Sequence, residues 1–183
     1  MLKAFLLALK RQHALRKVGV LSDVAGVAAA LVDVVPGVVG AVICVNDVGG
    51  LAVRIPVAGS DTQALLAGQL EFATGSGPGL YSVQTGQVVL AGPDLAERWP
   101  TYAAVLTERT EVRAVCAVPL DIGHPSMPGA LLLYLSDPVA VDRLTEVNLD
   151  DVVAVVAAAV TYAALTSLHA STSRLPAEMA TTR

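Results

Sequence analysis

Apolar and polar positions alternate along this chain with a period that changes from segment to segment. Leu2, Phe5, Leu6 and Leu9 recur at helical spacing, with the basic residues mostly off that stripe, and predict an amphipathic helix over 1–17. A second helix is predicted from Ser22 to Val34, with Ser22 or Asp23 able to cap it and Pro36-Gly37 ending it. Val38 to Val45 is apolar on both faces, as in a central strand. The run Asn46-Asp47-Val48-Gly49-Gly50 carries hairpin chemistry, and Leu51 to Val57 is the returning strand. Arg54 breaks the apolar run, and Pro56 suits an edge strand. Gly59-Ser60-Asp61 starts a third helix reaching about Phe72.

Beyond it the pattern is punctuated. Gly75-Ser76-Gly77-Pro78-Gly79 reads as a loop whose turn requires positive φ. Gln87 to Ala91 is a short strand, and Trp99-Pro100 opens a helix, proline fitting the first helical position. Val112 to Leu120 and Ala130 to Leu135 are two further apolar strands joined by a proline-rich turn. Val141 to about Ala170 reads as one long helix, with a loose polar tail over 171–183. About five strands with helices before, between and after them predict an α+β fold with an antiparallel sheet. The flap of chain from Phe72 to Tyr102 is expected to enclose a pocket against that sheet. Only 4% of the residues are aromatic, yet Phe72, Tyr81, Trp99 and Tyr102 all fall in this stretch. They are the expected lining, together with one face of Val112 to Val118 that includes Ala114 and Cys116.

Composition narrows the function. Hydrophobic residues make up 54% of the 183, ample for one core, built mainly from Val, Leu and Ala. Charge is unevenly spread: Lys3, Lys10, Arg11, Arg16 and Lys17 face no acid in the first seventeen residues, which leaves seven cations against sixteen acids in the body. An acidic body argues against nucleic acid as the main partner. The stretch Val152 to Leu168 has no charge but falls short of about twenty residues and is interrupted by Thr161, Thr166 and Ser167, so no stable membrane insertion is expected. The N-terminal apolar run Ala4 to Leu9 is too short for a signal peptide. Cys44 and Cys116 lie in apolar strands without a CxxC pattern, which fits core thiols in a reducing cytoplasm.

The chemistry-bearing residues form no catalytic or metal-binding constellation. No Lys-Ser/Thr follows the glycine-rich loop, so it is not a phosphate-binding P-loop. His13, His124 and His169 are scattered without metal-ligand spacing, and no cofactor is named by the residues. Glu108 and Glu111 flanking Arg109 read as a solvated helix end.

Seven short motifs follow one another in order: Gly77-Pro78, Thr85-Gly86, Asp94-Leu95, Arg98-Trp99-Pro100, Val112-Arg113-Ala114, Pro119-Leu120 and Gly129-Ala130-Leu131. In that order they resemble GAF domains, most closely those of actinobacterial sensory proteins, and the resemblance spans residues 19–168. It implies strand order 2-1-5-4-3, terminal helices on one face, and a ligand pocket on the other. It implies a non-catalytic signalling role, in which a bound small molecule biases an attached or partner output, a separate output protein being one candidate partner. The position that is often Cys in this group is Gly79 here, and the Asn-Lys-Phe-Asp-Glu signature of cyclic-nucleotide GAF domains is absent. After the final helix no room remains for the RNA-binding ANTAR output that follows in several relatives. In the implied strand order Cys44 and Cys116 lie two strands apart, roughly 9–10 Å, which is too far for a disulfide. That disfavours the alternative of a methionine-sulfoxide-reductase-like thiol enzyme. A second alternative is a membrane- or assembly-associated module working through the basic first helix. The all-apolar last helix predicts a homodimer packed through the first and last helices.

Overall fold

The computed structural model describes residues 1–16, 23–46, 54–123 and 128–172. Helix α1 (Leu2–Arg16) buries Phe5, Ala8 and Leu9 against helix α2 (Val24–Val34). The expected stripe is rotated: Leu6 and Leu7 stand outward beside Lys3, Lys10 and Arg11, and Ala8 takes the inward place. Asp23 caps α2, accepting from the Gly26 N–H at 2.7 Å, and stops the first turn from fraying.

The sheet is antiparallel, in the order β2-β1-β5-β4-β3. Its strands are β1 (Val38–Asn46), β2 (Arg54–Gly59), β3 (Val89–Ala91), β4 (Ala114–Leu120) and β5 (Gly129–Leu135). The expected sheet order is therefore present, with Pro56 on the edge strand β2, the place in a sheet where a residue without an N–H is tolerated. The hairpin turn expected at 46–50 and the first residues of its returning strand lie outside the described residues, apart from Asn46. So does most of the turn between β4 and β5, His124 included.

Between β2 and β4 the chain forms four helices: α3 (Thr62–Thr74), α4 (Pro78–Thr85), α5 (Leu95–Arg98) and α6 (Pro100–Arg109). Asp61 caps α3 by accepting from the Gln63 and Ala64 N–H groups at 2.8 and 2.9 Å. Helix α4 begins inside the stretch expected to be a loop. Pro78 opens it, because a proline at the first position sacrifices only an N–H that has no intrahelical partner.

The last helix also departs from expectation. Residues Pro138–Glu146 form a 3₁₀ segment, and the α-helix α7 spans Asp150–Thr172. The break comes at Asn148, whose side chain accepts from the Asp150 N–H at 3.0 Å and competes with continuation of the preceding helix. Two apolar cores result. One lies between the sheet and α1, α2, the 3₁₀ segment and α7; the other lies between the sheet and α3 to α6.

Candidate functional site

Strand period decides which residues of β4 meet the flap of short helices. Val115 and Ala117 turn toward it, while Ala114, Cys116, Val118 and Leu120 turn toward the terminal helices. Ala114 and Cys116 therefore stand on the opposite face of the sheet from Trp99 and Tyr102. One step of strand register separates this arrangement from the expected one. Phe72 is not brought to the group either: it is 49% exposed on α3. Tyr81, Trp99 and Tyr102 do share the flap side, but Trp99 and Tyr102 are core residues, packed with Leu95, Leu106, Val115 and Leu132. This part of the flap is filled by side chains.

Trp99 is held by its neighbours. The Arg98 guanidinium carbon lies 4.2 Å from its ring centre, and Tyr81 meets the ring edge-on at 6.1 Å and 68°. Arg98 also donates to the Leu90 carbonyl and to Asp94, each at 2.9 Å. Burial on its own would raise the Asp94 carboxyl. The hydrogen bonds from Arg98 and from the Gly92 N–H outweigh it and hold the group below its usual value.

The two thiols are both buried, Cys44 toward the flap and Cys116 toward the terminal helices. Burial pushes the Cys116 thiol up to about 12, which leaves almost no thiolate near neutrality. Cys116 forms part of an apolar cleft of about 630 Å³ between the strand edge at Val88 and Leu90 and the segment Leu144–Asp150.

A second cleft, of about 650 Å³, opens on the flap side of the sheet. Its walls are the start of α3 at Asp61 and Gln63, the end of α6 and the chain after it from Thr107 to Arg113, and Gly40 and Tyr134 of the sheet. The local sequence builds it. A register shift between Val38 and Gly40 turns Val39 outward, and Gly40 lets α3 approach: a Cβ there would stand 3.2 Å from Ala64 Cβ. Arg113 braces the end of α6 by donating to the Thr110 and Val112 carbonyls, both at 2.8 Å. Glu108, Arg109 and Glu111 are exposed at the rim. The cleft thus carries both signs of charge at its rim, above the buried Tyr134.

Sequence reading passed over Glu71. It is buried, and its Oε1 accepts from the Gly79 and Leu80 N–H groups at 2.8 and 3.0 Å, so it caps α4 from a different helix. A glutamate inside a helical run carries no cap signal, because its partners lie eight and nine residues away. The only hint was Gly77, where a Cβ would lie 2.4 Å from the Glu71 side chain.

Among the described residues no group of His, Cys, Asp and Glu side chains could hold a metal ion, and no helix is long and apolar enough to cross a membrane. Comparison with protein-family models, with curated proteins and with solved structures gives no match.

Proposed function

We propose that this chain is a non-catalytic regulatory module of the GAF type, which senses a small molecule and acts as a cytoplasmic homodimer on a separate output protein. One observation carries the reading. The 2-1-5-4-3 sheet is covered on one face by the terminal helices α1, α2 and α7 and on the other by a flap of short helices. A ligand held in the flap layer would be coupled through a single sheet to the helices that face a partner. The cysteines support the non-catalytic side, since they stand on opposite faces and Cys116 is held protonated.

The ligand site in this reading is the cleft at Asp61, Thr107–Arg113 and Tyr134, whose volume falls within the roughly 300–1,000 Å³ usual for small-molecule sites. Its mixed rim favours a polar ligand with both charged and apolar parts. Native mass spectrometry of freshly purified protein tests this. The reading expects a bound mass that is lost on denaturation and reduced in an Arg109→Glu variant. A bound mass that is indifferent to Arg109→Glu would move the site elsewhere, and protein without adduct would remove the support for sensing.

The dimer surface in this reading joins the outward side of α7, with Ala154 and Ala158, to that of α1, with Leu6 and the 71%-exposed Leu7. Sedimentation equilibrium at micromolar concentration is expected to give twice 18.7 kDa. Ala158→Glu should dissociate the dimer, and Thr101→Glu, on the flap, should not. The same leucines beside Lys3, Lys10 and Arg11 favour a second reading, docking of α1 on an anionic membrane surface. Flotation of the protein with anionic vesicles, lost in Leu7→Glu, together with a monomeric mass, would select that reading.

A further inference from the structure

Helix α4 lies between two glycines in the left-handed region and is tied down between them. Gly75 (φ 64°) and Gly86 (φ 68°) occupy the left-handed region, and a Cβ added at either would meet nothing within 4 Å. Each turn is held by local hydrogen bonds, from the Thr74 hydroxyl to the Ser76 carbonyl and from the Gly86 N–H to the Ser82 carbonyl. Between them the helix rests on the sheet over β3, β4 and β5. The strand residues turned to this layer include Ala91, Ala117 and Ala130. Methyl groups interlock little with a helix, so apolar packing alone grips α4 weakly at these points.

Three other ties make up the difference. The carboxylate of Glu71, 2% exposed, holds the Gly79 and Leu80 N–H groups at the start of the helix. Tyr81 stands edge-on to Trp99. The Ser82 hydroxyl donates to the Gln87 carbonyl at 2.7 Å, with the Ala117 carbonyl of β4 at 3.4 Å. Of the three, the carboxylate tie is the strongest in kind, because charge-assisted bonds to a helix start exceed neutral ones. It is also the one that links α4 to the preceding helix.

We infer that α4 is a lid on the flap face of the sheet, hinged at Gly75 and Gly86, and that Glu71 is its latch. Release of the latch frees the start of α4, lifts Tyr81 from Trp99 and uncovers the alanine floor, a recess suited to the apolar part of a small ligand. Its use in sensing rests on the function proposed above. The lid itself does not, and it can be tested with no ligand present.

Trp99 is the only tryptophan of the chain, and Tyr81 of the lid touches it, so its fluorescence reports lid position. In Glu71→Ala, acrylamide quenching of Trp99 should rise. Amide exchange from Gly79 to Thr85 should accelerate about tenfold, the factor expected when charge-assisted bonds are lost. The β5 amides from Leu131 to Tyr134 should keep their wild-type rates. Glu71→Gln, which retains an acceptor oxygen without the charge, should fall between the two, and it carries the test if the alanine variant does not fold. Wild-type quenching and exchange in the variants would overturn the latch. Equal acceleration of α4 and β5 would overturn it as well, since Glu71 would then support the whole fold and not the lid.

Discussion

The two faces of the sheet are built on different plans. The terminal-helix face is covered by α1, α2 and α7 and filled with aliphatic side chains such as Val27, Leu31, Leu131, Leu133, Val152 and Val156. The flap face is covered by helices of 13, 8, 4 and 10 residues. It mixes Trp99, Tyr102 and Tyr134 with alanines, and it buries the polar side chains of Glu71, Ser82 and Thr110. Long helices with apolar stripes give continuous packing and few polar constraints. Short helices leave many end groups to satisfy, and here side chains from neighbouring segments satisfy them. The first plan yields a rigid support; the second yields a layer whose parts can be released one at a time.

The largest effects should come from removing an anchor on either face. Trp99→Ala should cost about 3–5 kcal/mol, and Leu133→Ala on the opposite face about 2–5 kcal/mol, measured by urea melts. The comparison sharpens if Trp99→Ala also lowers the protection of α4 while Leu133→Ala lowers stability throughout. A Trp99→Ala cost below about 1 kcal/mol would break it, because such a loss is a surface effect.

A pH-dependent difference comes next, and it belongs to the terminal-helix face. The Cys116 thiol is raised from 9.0 to about 12 by burial. The folded chain therefore keeps a proton that the unfolded chain loses, so the contribution is intact below pH 9.0 and falls away as pH climbs toward 12. Between those limits the wild type should lose about 1.4 kcal/mol per pH unit more than Cys116→Ala. Parallel pH profiles for the two proteins would show that Cys116 is wet.

Smaller effects separate two glycines of the flap. Gly77→Ala forces a methyl group into the Glu71 carboxylate and should cost about 1–3 kcal/mol. Gly75→Ala meets no neighbour and should cost only the left-handed backbone term, about 1–2 kcal/mol. The sharper distinction is local: Gly77→Ala should raise acrylamide quenching of Trp99, and Gly75→Ala should leave it unchanged.

The terminal-helix face was the more legible in sequence, for a physical reason. Period alone finds α2, β1, β4 and β5, because each buries one continuous stripe or run, and it finds α1 with the buried stripe rotated. Five of the seven motifs behind the GAF resemblance sit at joints of the fold. Pro78 and Pro100 start helices, Gly86 ends one, Leu95 enters the core, and a Cβ at Gly129 would stand 3.2 Å from the Cys44 carbonyl oxygen. They therefore announce architecture while naming no ligand. The flap was less legible because its helices are short and its caps come from afar. Glycines hid α4, Glu71 reached across from α3, and the outward turn of Val39 shaped a cleft that no motif marks. The placement of Ala114 and Cys116 failed on a single step of β4 register, which a strand apolar on both faces cannot specify.

The claim that one face supports and the other yields is tested most directly by native-state hydrogen exchange of the wild-type chain at rising, sub-denaturing urea. Amides of α2 from Val27 to Leu31 should exchange only through global unfolding, with opening energies that fall steeply with urea. Amides of α4 from Gly79 to Gln84 should exchange through a smaller opening, with lower energy and a shallow urea dependence. A single opening energy and a single slope shared by α2 and α4 would contradict the account.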